Sequence, residues 1–365
     1  MSRPIRAVIF GNGFARTTML PCLRQVDGLE VVGLASPSLE RAQATAKEFG
    51  IPDVTADYRE ILSLTSPDLV FIVTPPHRHL EMAIDALAAG CHVVCEKPTA
   101  MNQGESLKML AASRAYPDRL ALIDHELRID PRRRQLRQWV ETGRLGRILH
   151  ATYTVSSFGR RDPNAPWTWW SDREQGGGAW GAIGSHVIDS LRSLLGEIDE
   201  VRGDLVTVFP ERIDPQTGRA RLVTADDAAN AWLKFRSGAR ATVAISLVEG
   251  ERVHQLRLAG TDGAARLDEQ QPLRFAKGVE AGRTGWEEIE WRDDLAPSAD
   301  LGIPDTDWAR SFLRFAREIT AALAGGRATV EGASTFEDGH RNQQVLDAVR
   351  ASAESARWVD VRREG

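Results

Sequence analysis

Apolar positions in the first third of the chain fall in short continuous runs that alternate with stretches of helical period. Ile5–Phe10 is one such run; it ends in Gly11-Asn12-Gly13, and the segment after it carries Met19, Leu20, Leu23 and Val26 at helical spacing. This order predicts a strand, a glycine turn and a helix. A second strand over Leu29–Ala35 leads into a helix over SLERAQATAKEFG, which Gly50 and Pro52 stop. Strands are expected at 68–73, 92–95 and 120–123, with helices at 80–89 and 104–115 between them. The alternation predicts an N-terminal α/β domain over residues 1–123, a parallel, helix-covered sheet of the doubly wound kind.

The pattern changes after residue 123. A helix near 131–142 and a strand at 147–155 precede an irregular stretch rich in Trp, Pro and Arg, and a helix at 179–195 follows. Period-two patterning then marks strands at 201–208, 227–235, 239–248 and 253–259, joined by turns such as Ser237-Gly238 and Asp262-Gly263. Two amphipathic helices, at 307–324 and 334–355, close the chain. Residues 124–365 are therefore expected to form a C-terminal α+β domain with a mostly antiparallel open sheet. Such a sheet exposes a broad face unless another subunit covers it, so a homodimer or homotetramer is expected.

Composition narrows the function classes. At 365 residues, 42% hydrophobic and 27% charged, the chain is an ordinary globular protein. Its net charge is -5, and no dense basic run offers a nucleic-acid stripe or a membrane patch. Arg132-Arg133-Arg134 reads as a solvated helix face. Only three cysteines occur, in neither a disulfide framework nor a zinc pattern, and Cys91 and Cys95 read as core thiols. The N-terminus enters a strand pattern within five residues, with no signal peptide and no membrane-length apolar stretch, so a cytoplasmic location is expected. The histidines 77, 92, 125, 254 and 340 form no metal-ligand spacing with the carboxylates, and no metal is expected.

At the first turn, Gly11 and Gly13, followed by Phe14 and Ala15, let the backbone approach a pyrophosphate at the amide-rich start of a helix. Arg16 replaces the third glycine of the dinucleotide pattern. At the end of the second strand, where an acidic residue would hold the ribose hydroxyls of NAD, the chain has Ser36-Pro37-Ser38, with Arg41 nearby. The reading leans to NADP, with NAD as the alternative; Arg41 is equally readable as an exposed helix charge.

The segment VTPPHRHLEMAIDALAAGCHVVCEKPTA, residues 73–100, resembles the signature of the glucose-fructose oxidoreductase, inositol dehydrogenase and rhizopine-catabolism (Gfo/Idh/MocA) family. GGGAWGAIGSHVID, residues 176–189, resembles its second signature. The resemblance implies an NAD(P)-binding Rossmann domain and places Thr74, Pro75, His79, Glu96, Lys97 and Pro98 beside the nicotinamide. It implies hydride transfer to or from a sugar, cyclitol or related compound. Lys97 suits the positive group at the reacting oxygen, and His186 the proton carrier, with Asp189 on the same helix face as His186 and Ala182. Many family members have an aspartate where Ala182 stands.

The stretch FGRRDPNAPWTWWSDREQGGGAW gathers Arg160, Arg161, Trp167, Trp169, Trp170 and Arg173 just before His186, as a sugar pocket rim would or as a loop anchor would. Arg128 falls where the family contributes pocket residues. The loss of the aspartate leaves a dinucleotide-binding metabolite sensor as a rival function, and the tryptophans leave an aromatic diol as a rival substrate.

Overall fold

The computed structural model describes residues 3–278, 283, 285–291 and 293–361. It divides into two compact units, Met1–Asp130 with Asp293–His340 and Pro131–Arg292 with Arg341–Gly365.

The first unit is built on β1 (Ile5–Phe10), β2 (Leu29–Ala35), β3 (Asp53–Thr55), β4 (Leu69–Ile72), β5 (His92–Cys95) and β6 (Ala121–Ile123). These strands form one parallel sheet in the order β3-β2-β1-β4-β5-β6. Alternate residues of β1 serve two cores: Ala7 and Ile9 pack on one face, Val8 and Phe10 on the other. Full burial of an aliphatic or aromatic side chain contributes about 1.5–3 kcal/mol, which is why a sheet covered on both faces reads as continuous apolar runs.

The connecting helices are α1 (Leu20–Leu23), α2 (Leu39–Phe49), α3 (Tyr58–Thr65), α4 (His79–Ala88) and α5 (Gln103–Ala115). Their ends follow local chemistry. Gly50 at φ 72° closes α2, the Asp57 side chain accepts from the Arg59 amide at the start of α3, and at the start of α5 the Asn102 side chain accepts from the Glu105 amide while the Glu105 carboxylate accepts from the Met101 amide. The helix expected after the glycine turn forms, but a π-helical stretch at Ala15–Met19 precedes α1, and Val26 lies beyond its end. Neither β3 nor α3 was expected; for β3, three residues with one apolar side chain give no periodic signal.

The second unit holds α6 (Pro131–Glu141), β7 (Ile148–Ser156), α7 (Ser185–Leu195), β8 (Ile198–Val206), a hairpin of β9 (Glu211–Ile213) and β10 (Ala220–Leu222), β11 (Ala228–Phe235), β12 (Arg240–Ser246), β13 (Val253–Gly260), β14 (Gly263–Asp268), β15 (Arg274–Lys277) and β16 (Glu287–Glu288). With β17 (Val359–Asp360), the main sheet runs β16-β15-β14-β13-β7-β12-β11-β8-β17 among the described residues. Only the β7–β12 pair is parallel. The mostly antiparallel open sheet is thus as expected. One of its faces packs Tyr153, Leu233, Val243 and Leu256 against Trp180, Ile188 and Leu191.

The division of the chain differs from the two-segment expectation. Residues 124–130 stay with the first unit, and α8 (Ser298–Leu301) and α9 (Asp307–Ala324) return to it. Amphipathic spacing shows that α9 buries a face without showing against what. Phe312, Leu313, Phe315 and Ile319 enter the core that holds Ile9 and Phe71, with the Phe71 and Phe312 rings 6.1 Å apart. The returning chain is tied down where Arg310 and Arg314 pair with Asp293 and Asp294. The last helix, α10, spans Phe336–Ser355.

A second correction concerns the arginine triplet. Arg132 and Arg133 are buried, and only Arg134 is exposed. Arg132 lies over the Trp291 ring and donates to the Gln271 carbonyl, while Arg133 lies over Tyr153 and hydrogen-bonds His254. The first turn of α6 faces aromatic side chains that accept guanidinium faces.

Candidate active site

In the first unit the sequence-predicted residues converge at the carboxyl ends of the parallel strands, around the point where the strand order reverses between β1 and β4. Gly11 has φ 107°, and a Cβ there would lie 2.3 Å from the Val73 carbonyl oxygen, so β1 and β4 close on each other only over glycine. At Gly13 a Cβ would meet nothing within 4 Å. Gly13 and Phe14 are exposed and Ala15 is buried, so the turn presents main chain outward at the start of a helix, as a pyrophosphate site requires. At the end of β2, Ser36 is buried and its amide donates to the Thr55 carbonyl. Arg41 is exposed and donates to the Ser38 hydroxyl at 2.9 Å.

Two loops follow the ends of β4 and β5. Thr74 and Pro75 are half-buried on the first; Glu96, Lys97 and Pro98 form the second. His79, expected to border the cofactor, has a wholly buried side chain. Its Nε2 lies 2.8 Å from the Thr74 carbonyl and its Nδ1 3.1 Å from the Pro98 carbonyl, so His79 fastens the two loops together. Burial pushes its pKa down to about 4 against the pull of those carbonyls. The ring is neutral at pH 7 and donates to one carbonyl at a time.

The Lys97 side chain retains 19% of its exposure, and its Nζ lies 3.5 Å from Glu96 Oε2. Sequence reasoning passed over Asp124 beside this pair. Cys95 and Ile123 are register partners on β5 and β6, and the Asp124 amide donates to the Cys95 carbonyl at 2.8 Å. The Asp124 side chain is buried, and burial, then Glu126 and Glu96, hold its carboxyl well above the usual carboxylate range. Its only signal in the sequence is a carboxylate one residue past the end of a buried strand. The thiols of Cys22 and Cys91 are buried and pushed up to about 12 and about 11, consistent with core packing.

In the second unit His186 and Asp189 are buried on α7 at i and i+3. Ala182 lies in a π-helical stretch, Trp180–Gly184, so the regular α-helical face expected to join it to His186 is interrupted. This helix is held from below: Trp180 is fully buried and its indole donates to the Leu346 carbonyl, while Asp226 accepts from the Trp180 amide at 2.6 Å. Gly178 has φ 110°, and a Cβ there would lie 2.5 Å from Asp226 Oδ1.

The tryptophan-rich loop is anchored largely to other parts of the second unit. Arg160 pairs with buried Asp227 at 2.9 Å and donates to Ser171, and Arg173 pairs with Glu354. Buried Arg212 donates to the carbonyls of Arg160, Asp162 and Ala165. Trp167 is 8% exposed, donates to the Leu222 carbonyl and carries the Arg221 guanidinium 3.4 Å over its ring. It is an anchor, whereas Trp169 and Trp170 remain half-buried. Arg128 lies in the first unit, not at the start of the second, and pairs with Asp338 at 3.3 Å. No group of residues suited to hold a metal ion occurs among the described residues, and no helix there is long and apolar enough to cross a membrane.

Comparisons with known proteins fit this geometry. Residues 5–122 match the model of an oxidoreductase family with an NAD-binding Rossmann fold, and residues 133–266 match the GFO/IDH/MocA C-terminal domain. A levoglucosan dehydrogenase of Pseudarthrobacter phenanthrenivorans is 30% identical over 358 residues, 91% of this chain and 89% of that protein. Glucose-fructose oxidoreductase domain-containing protein 2 of Bos taurus is 29% identical over 368 residues, 97% of this chain and 92% of that protein. Among solved structures, levoglucosan dehydrogenase in complex with NADH and levoglucosan is similar with a TM-score of 0.87 at 27% identity, covering 99% of this chain and 100% of that one.

Proposed function

The chain belongs to the GFO/IDH/MocA oxidoreductases, with their NAD-binding Rossmann domain, and we propose that it is a dehydrogenase acting on a CH–OH group of a sugar, anhydro sugar or cyclitol. The observation that carries this reading is the largely buried Lys97 ammonium, paired with Glu96 past the end of β5, in a chain similar throughout to a levoglucosan dehydrogenase. Bound nicotinamide supplies the hydride acceptor or donor. Lys97 donates a hydrogen bond to the reacting oxygen and stabilises the charge that develops there as the carbon changes oxidation state. His186 is the proposed carrier of the hydroxyl proton, and Asp189, one turn along α7, its orienting carboxylate. Trp169 and Trp170 offer apolar ring faces to a pyranose. Arg128, held by Asp338, is the proposed pocket arginine.

NAD(H) is the cofactor on the family's pattern. We extend the proposal to NADP, because the chain past the end of β2 carries Ser36-Pro37-Ser38, with Arg41 bonded to Ser38, in place of the acidic residue that would hold the ribose hydroxyls of NAD. Arg41→Ala should weaken NADPH about tenfold, the loss of one charge-assisted hydrogen bond, and leave NADH almost unchanged. The exposed Trp232 and Val206 on the outer face of the open sheet favour a homo-oligomer, read by light scattering.

The test follows nicotinamide absorbance with aldoses, anhydro sugars, cyclitols and aromatic diols, for the wild type and Lys97→Met. Turnover of a sugar that falls at least about a hundredfold in the variant, with dinucleotide still bound, supports the proposal. Dinucleotide binding without turnover of any compound would favour a metabolite sensor, the role that Ala182 keeps in view.

A further inference from the structure

Behind Lys97 the chain places more carboxylate than one ammonium can balance. Glu96 and Asp124 occupy adjacent positions one residue past the register partners Cys95 and Ile123, on neighbouring parallel strands. Both are more than nine-tenths buried, and Glu126 is buried two residues farther on. Glu96 faces Lys97, with its Oε2 3.5 Å from Nζ and 3.3 Å from the Lys97 amide. Asp124 Oδ1, in contrast, is buried with no donor to satisfy it. An ionised carboxylate left so is strongly disfavoured. The neighbour it can bond is the Glu96 carboxyl, and two carboxyls bond each other only through a proton.

We propose that Asp124 and Glu96 hold one proton between them, so that the pair presents a single negative charge to Lys97 and Asp124 acts as a positioning residue of the redox site. The groups whose charges reach the pair are Lys97 and Cys95 beside it, Glu126 in the following turn and Cys22 on α1. Lys97 alone among them is cationic, and it favours ionisation, while Glu126 opposes it. The shared proton is therefore held well above the pH at which an ordinary aspartic acid loses it. It stands on the burial of both carboxyls, the unsatisfied Asp124 Oδ1 and the Asp124–Glu96 hydrogen bond; its bearing on catalysis rests on the dehydrogenase reading.

Infrared spectroscopy on the intact chain tests this without turnover. Difference spectra between wild type and Asp124→Asn at neutral pH should show a carboxylic-acid carbonyl stretch in the wild type that the variant lacks. Asp226→Asn, which removes another aspartate that burial raises, should leave that stretch in place. The wild-type stretch should vanish as pH rises, which keeps the proposal testable if the variant does not fold. A spectrum with no acid carbonyl assignable to Asp124 overturns it. The acid carbonyl in a chain that turns over no sugar would support the shared proton and refute the dehydrogenase reading.

Discussion

Each unit opens a helix of its candidate site in the same way, with a glycine at φ above 100° followed by a π-helical stretch: Gly11 before Ala15–Met19 and Gly178 before Trp180–Gly184. The two turns nevertheless face different neighbours. In the first, Gly11 lets two strand ends close, and Gly13 leaves open space where a side chain would stand. In the second, a Cβ on Gly177 would meet the Trp169 and Trp170 carbonyls, and one on Gly178 the Asp226 carboxylate. One glycine turn leaves open space in front of it, and the other is filled by internal packing. A glycine-rich segment before a helix therefore reports close approach of something, and only the surroundings tell whether that is a cofactor or the protein's own carboxylates.

The largest effect that would sharpen this contrast lies in the second unit. Asp227 is buried, pairs with Arg160 and accepts the Val208 and Phe209 amides. Asp227→Ala leaves a guanidinium and two amides without their acceptor and should destabilise the protein by about 3–5 kcal/mol in denaturant unfolding. Dinucleotide affinity should change little where the protein remains folded; a large loss of affinity in that condition would break the contrast. Next comes Gly11→Ala. It combines a positive φ with a Cβ 2.3 Å from a main-chain oxygen, so it should cost about 3 kcal/mol and abolish dinucleotide binding together.

Acid then separates one residue of each unit, His79 and Asp226, by sign. His79 has its folded pKa lowered to about 4, so the unfolded chain binds more protons between about pH 6.5 and 4. The stability His79 confers is complete above pH 6.5 and is lost as pH falls through 4, a total of roughly 3 kcal/mol. Asp226, raised by burial, does the reverse: its contribution is complete below its unfolded pKa and declines as pH rises through its folded value. His79→Gln should flatten the acid slope of unfolding free energy, and Asp226→Asn the slope above pH 4. Equal slopes in wild type and both variants would contradict this assignment.

The sequence disclosed these two regions unequally for a physical reason. A parallel sheet buried on both faces writes itself as apolar runs, and the ends of those runs carry Gly11, Thr74 and Lys97; Gly11 was legible by position, and Thr74 and Lys97 through the family resemblance of their segment. His79 was legible as a member of the segment but not as a buried clasp, because nothing in a sequence shows that Thr74 and Pro98 carbonyls lie on both sides of one ring. Asp124, Asp226 and Asp227 read as polar residues at strand ends. Their weight comes from burial and from partners as many as 67 residues distant, as with Arg160 and Asp227. The return of α9 to the first unit was hidden for the same reason, since period alone does not name the sheet a helix packs on.

The smallest expected change is the most discriminating. At Gly13 the backbone φ is not positive, and an added Cβ points into open space. Gly13→Ala should therefore leave stability within about 0.5 kcal/mol, and the lower entropy of the unfolded chain favours a slight gain. If the space in front of Gly13 is where the pyrophosphate approaches the main chain, the same methyl group should weaken NADH at least about tenfold, because the close contact cannot form around it. Calorimetric titration and thermal unfolding of the one variant read both effects. Unchanged affinity with unchanged stability would mean that the first turn, like the second, carries its glycines for the protein's own packing, and the contrast between the two units would fall.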